Sequence, residues 1–177
     1  FCFEKFDGRE HKKYGTNSHF LSFLLELTTE KKYATILLEK LEVELANTFD
    51  KEKKGVLLLF KMKLVERFEK ASLSAFIESN LEESEVLLAA IKNSVEQKNY
   101  EDAQKLALKG LDMQRDVIVR NELDDILLDI AIKTQQKLDI TTYARKRFLV
   151  TYNFHFYQIL KNTISKGWKK EVKDLLP

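Results

Sequence analysis

The only proline of this chain is Pro177, its last residue, and its 177 positions hold just five glycines. Folds rich in sheet need those two residues at their many turns, where one fixes φ and the other reaches φ > 0. Punctuation this sparse leaves helices joined by short polar connections. The clearest instance is Ser84–Leu111, SEVLLAAIKNSVEQKNYEDAQKLALKGL. Leu87, Ala90, Ile91 and Val95 recur at helical spacing, and Tyr100, Ala103, Leu106, Ala107 and Leu111 do so again after a polar break. That spacing puts one apolar stripe on each helix. The alanines on it let two helices approach closely. The pattern predicts a helical hairpin of the kind that stacks into superhelical arrays.

The remaining stretches extend this reading. Residues 1–17 read as a short apolar element around Phe1, Phe3 and Phe6 followed by a loop. Helices are expected over His19–Leu27 with Ser18 as its cap, over Glu30–Thr48 behind Thr29, and over Val56–Lys70. Asp50–Gly55 reads as a charged break, and a short helix passes through Phe76 to Asn80. After the hairpin come a long helix over Asp116–Lys137, one over Tyr143–Tyr152 capped by Thr141 or Thr142, and two more over Phe156–Ile164 and Trp168–Leu176. Val150–Phe156 alternates as a strand would, but no partner strand is visible and two abutting helices are preferred. KNYEDAQKLAL at Lys98–Leu108 resembles LDITTYARKRF at Leu138–Phe148, and a shift of 41 residues pairs Ala103 with Ala144 and Ala107 with Phe148. Periods near this length belong to helical arrays. The expected fold is all-α: an α/α superhelix of about eight to ten helices in a single domain. Residues 18–80 would be its N-terminal helices and 81–177 its tetratricopeptide-like hairpins.

Composition narrows the function classes. Hydrophobic residues make up 44% and charged residues 33%, and the formal net charge is +2. That balance fits a soluble globular domain and by itself marks neither a nucleic-acid protein nor a membrane one. No apolar run approaches the roughly 18 residues of a membrane span, and no signal-peptide pattern opens the chain. Cys2 is the one cysteine, so an internal disulfide framework is excluded and a cytoplasmic setting is expected. The chain begins at Phe1 rather than Met, which suggests a piece of a larger protein.

Candidate chemistry is thin. Cys2, His11 and His19 fit no common metal-ligand spacing, and no phosphate loop, GxSxG or HExxH is present. Asp124, Asp125 and Asp129 read as a solvated helix face rather than an acid–base or cation site, because no His or second carboxylate motif completes one. The aromatics Tyr143, Phe148, Tyr152, Phe154, Phe156, Tyr157 and Trp168 stand at core spacing, with a partner groove or a base-stacking platform as lesser readings. No enzyme activity and no cofactor are expected. The most informative feature is charge. From Glu78 to Asp129 there are 13 Asp or Glu against 6 Lys or Arg, and from Lys133 to Lys173 there are 10 Lys or Arg. The favoured reading is attraction between neighbouring helices. The alternative is a basic end, with Arg145, Lys146, Arg147, Lys169 and Lys170 meeting an acidic partner or nucleic acid. Lys92 and Glu96 are the expected partner-facing residues of the hairpin's first helix.

The spacing of Tyr100, Ala103 and Ala107 is similar to the second helix of a tetratricopeptide repeat. From about Phe76 onward the chain resembles the C-terminal helical region of bacterial SWIM zinc-finger proteins. The residues that carry this are FIESNLEESEVLLAAIKNSVEQKNYEDAQKLALKGL (Phe76–Leu111), the long helix after it, and GWKKEVKDLL (Gly167–Leu176). The family's zinc motif needs several Cys and a His, which Cys2 cannot supply. The resemblance therefore implies an accessory helical region without a catalytic role, whose metal module lies elsewhere in the protein. The reading that follows is a non-enzymatic scaffold that binds another protein or a peptide, with nucleic acid as the alternative partner.

Overall fold

A computed structural model describes residues 17–164 together with 167, 168 and 173, with side chains from Leu21 onward. Every described element is helical, and no strand occurs among the described residues. The helices are α1 (Asn17–Leu27), α2 (Lys31–Ala46), α3 (Lys51–Phe68), α4 (Leu73–Ser79), α5 (Ser84–Glu96), α6 (Tyr100–Met113), α7 (Val117–Lys133), α8 (Lys137–Thr151) and α9 (Phe154–Thr163). They form two compact units, Phe1–Ala89 and Ala90–Pro177, whose boundary falls inside α5. The expected N-terminal loop and most of the expected helix over Trp168–Leu176 lie outside the described residues.

The first unit is built around α3. Leu57, Phe60 and Leu64 pack with Leu21 and Leu24 of α1 and with Ala34, Leu37 and Leu41 of α2. Leu58 and Met62, on the other side of α3, form a second cluster with Val86. A helix buried on both sides carries more apolar positions than the single expected stripe. α3 also starts five residues earlier than expected. The Asp50 side chain accepts a hydrogen bond from the Lys53 backbone N–H at 3.1 Å, and Glu52 favours the positive end of the helix dipole. Gly55 is thus a helical residue rather than a break. It is buried where the carboxyl group of Glu85 packs, and a Cβ there would lie 2.5 Å from Glu85 Cδ. The expected caps of α1 and α2 are displaced as well. Ser18 lies inside α1, and the N-cap of α2 is Glu30, whose side chain makes no capping bond. Arg67 donates to the Leu25 carbonyl at 3.0 Å, satisfying one of the orphan acceptors at the end of α1.

The second unit is sealed by Leu128 and Ala131 of α7, Ile140, Ala144 and Phe148 of α8, and Leu160 of α9. Tyr143, Phe156, Tyr157 and Trp168 pack against that cluster, whereas Tyr152 and Phe154 are each 65% exposed. The junction within Val150–Phe156 is helix against helix, with Asn153 capping α9 through its bond from the His155 N–H at 2.9 Å.

Two turns share one hydrogen-bond pattern. After α5, the Lys98 N–H donates to the Val95 carbonyl and the Asn99 N–H to the Ser94 carbonyl; after α7, Gln135 donates to Ile132 and Gln136 to Ala131. Lys98 and Gln135 are both left-handed, at φ 60° and 57°. This is a Schellman ending with a side chain where glycine is usual. The two turns stand 37 residues apart rather than 41. Burial follows the same interval, since Val86, Ala90, Ile91, Ala103 and Ala107 match Leu123, Leu127, Leu128, Ile140 and Ala144, all buried. The second turn ends α7 at Lys133, so α8 begins at Lys137. Thr141 and Thr142 are therefore inside α8, bonding back to the Lys137 and Leu138 carbonyls at 2.9 Å, and are not caps.

Candidate partner groove between α5 and α7

In the second unit α5 and α7 leave an open cavity of about 230 Å³. Helical spacing builds it: Ile91 with Val95, and Lys92 with Glu96, stand one turn apart on α5, and Ile126, Asp129 and Lys133 run along one side of α7. Ile91 is buried and Val95 and Ile126 are half-buried, which gives an apolar floor. Lys92, Glu96, Asp129 and Lys133 are exposed and form a rim of both signs. Lys92 Nζ reaches Glu122 Oε1 on α7 at 3.0 Å. Lys92 and Glu96, singled out from sequence, are thus brought together at this cavity. A smaller crevice of about 140 Å³ in the first unit lies between α1 and α3 over Leu21, Leu25 and Phe60, continuous with the core.

The basic residues of α8 are placed differently. Lys146 Nζ lies 2.7 Å from Asp124 Oδ2, and Asp124 is only 2% exposed. Arg147 donates from Nε and Nη2 to both oxygens of Asp125, at 2.5 and 2.9 Å. The Arg147 guanidinium sits over the Phe156 ring, 5.5 Å from its centroid, and the residue is 8% exposed. Arg145 is half-buried. Two sequence expectations are corrected here. Arg147 is an internal side chain rather than a surface contact, because α9 brings Phe156 over it. Asp124 is not on a solvated face, because α8 packs against α7 there; the Asp125 side chain is still 45% exposed and Asp129 is exposed. Lys169, Lys170, Cys2 and His11 lie outside the described residues, as does the side chain of His19.

The pairing was within reach of the sequence. Asp124 and Lys146 stand 11 residues either side of Gln135, as antiparallel neighbours about a turn must. What hid it was the turn itself, which carries no glycine.

Among the described residues no group of three or more His, Cys, Asp or Glu side chains is arranged to hold a metal ion, and no helix is long and apolar enough to cross a membrane. Two groups among the described residues have displaced titrations. The Tyr143 phenol is pushed up by burial, and further by the nearby carboxylates of Asp139 and Asp124. The Lys105 ammonium is held up by its hydrogen bond to Glu101. Neither residue lines the α5–α7 cavity, whose polar walls are Lys92, Glu96, Asp129 and Lys133. What the cavity can do is receive an apolar side chain and orient its flanks by charge. Compared with protein-family models, curated proteins and solved structures, the chain gives no match.

Proposed function

We propose that this chain is a non-enzymatic helical-repeat scaffold, tetratricopeptide-like in its second unit, that holds a peptide segment of another protein. The observation that carries the proposal is the α5–α7 groove, where an apolar floor of Ile91, Val95 and Ile126 lies inside a rim of two cations and two anions. Its volume suits a single large apolar side chain, and the rim suits a peptide that sets charges beside that anchor. The 37-residue interval between like turns and like buried positions supports the repeat reading. The resemblance to the helical region of SWIM zinc-finger proteins supports an accessory role within a larger protein.

The test is selection of peptides from a random library on the immobilised chain, followed by calorimetric titration. Selected sequences should share one large apolar residue with flanking charge. Val95→Arg fills the floor from a half-buried position and should weaken their binding at least about tenfold with little change in melting. Lys92→Glu should shift which flanking charges are tolerated. Peptides that bind the parent and Val95→Arg equally would refute the groove.

A further inference from the structure

We infer that one end of the second unit is the face on which two copies of this chain pair. α6 hands over to α7, and α8 to α9, at that end. Ile118 and Tyr152 each stand 17 residues from Gln135, so the antiparallel α7–α8 hairpin brings them to the same level. The large apolar side chains there face solvent: Met113 is 36% exposed, Val117 67%, Ile118 77%, Val150 59%, Tyr152 65% and Phe154 65%. Scaled by exposure, these six present on the order of 500 Å² of apolar surface. A standard interface takes roughly 800 Å² from each partner, a little over half of it apolar. The patch therefore supplies the apolar centre that one side of a stable dimer needs.

The rim selects a second copy as the occupant. Asp112 and Arg115 are both exposed beside Met113 and Val117, and neither makes an ion pair among the described residues. A two-fold axis sets residue i against j and j against i. It can therefore lay Arg115 of each copy against Asp112 of the other while the apolar centres meet. A rim of one sign would repel its own copy; this one, with Asp112, Arg115 and the exposed Asp116, carries both signs. The backbone adds a second mark. Tyr152 holds φ 50°, a left-handed conformation that is uncommon for a bulky residue, and it stands its ring at the patch with an edge contact to Phe148.

Sedimentation equilibrium of the whole chain, from micromolar to sub-millimolar concentration, tests this. The parent should be a reversible dimer. Ile118→Glu should raise its dissociation constant at least about tenfold, as should Arg115→Asp, with helical circular dichroism and melting unchanged because both positions are exposed. Arg115→Asp combined with Asp112→Arg should recover the dimer, which neither a misfolded variant nor an unrelated partner site would do. A parent that stays monomeric throughout overturns the proposal, including one that binds lipid vesicles instead. So does a dimer that survives Ile118→Glu, or a charge exchange that restores nothing. Peptide binding at the α5–α7 groove involves none of these side chains, so its fate is read separately.

Discussion

Asp124 and Leu87 occupy the same place relative to their turns, 37 residues apart, and both are buried. One position is served by an aliphatic side chain and the other by a carboxylate that needs Lys146. The same holds one helix later, where buried Gly110 corresponds to Arg147, the partner of Asp125. Burying a charge costs several kcal/mol unless a partner repays it, and the repayment depends on geometry. Lys146 is half-exposed and would solvate freely without its partner, whereas Asp124 would stay desolvated without Lys146. The two deletions are therefore unequal. Lys146→Met should destabilise the chain by about 1–3 kcal/mol, since it strands the acid. Asp124→Leu, which copies the equivalent residue, should stay within about 1 kcal/mol of the parent. Urea denaturation of the two variants decides it, and equal losses would mean the pair acts as a simple surface bridge.

At the level of elements, α5, α6 and α9 start within about two residues of where periodicity and capping put them. Ser84 and Asn153 stand at helix starts that sequence can mark. Other starts are less legible, since α3 begins five residues and α8 six residues before the expected point, and the end of α7 differs by four. Lys98 and Gln135 close α5 and α7 in a left-handed conformation that glycine normally signals, and the polar run Lys133–Lys137 around the second turn contains no glycine. Without that signal the sequence extends the long helix four residues beyond Lys133, and its faint repeat has an interval of 41 rather than 37. A side chain at such a position is strained relative to glycine. Lys98→Gly and Gln135→Gly should each stabilise the chain by about 0.5–1 kcal/mol, where glycine inside a helix would do the reverse. Thermal melts of the single variants and of the pair measure this, and a loss at either site would show that the left-handed residue is held by contacts of its side chain.

For the molecule as a whole, the legible part was the fold class and the opposition of charges; the division of the core was not. Hydrophobic periodicity states which face of a helix is buried but not which cluster it joins. Leu57 and Leu58 are adjacent in sequence, yet they belong to different clusters of the first unit. The α5–α7 cavity is half legible: Lys92 and Glu96 are visible as one turn of α5, but the opposing wall of Ile126, Asp129 and Lys133 needs the packing of α7. Leu37 belongs to the cluster of α1–α3 and Leu128 to that of α7–α9, and these two clusters share no residue. A cavity at either should cost about 2–5 kcal/mol. Because partial opening follows cooperative units, the damage should stay local. Hydrogen exchange should quicken across α1–α3 for Leu37→Ala and across α7–α9 for Leu128→Ala, each leaving the other set protected. Faster exchange throughout the chain from either substitution would mean that the two clusters open together.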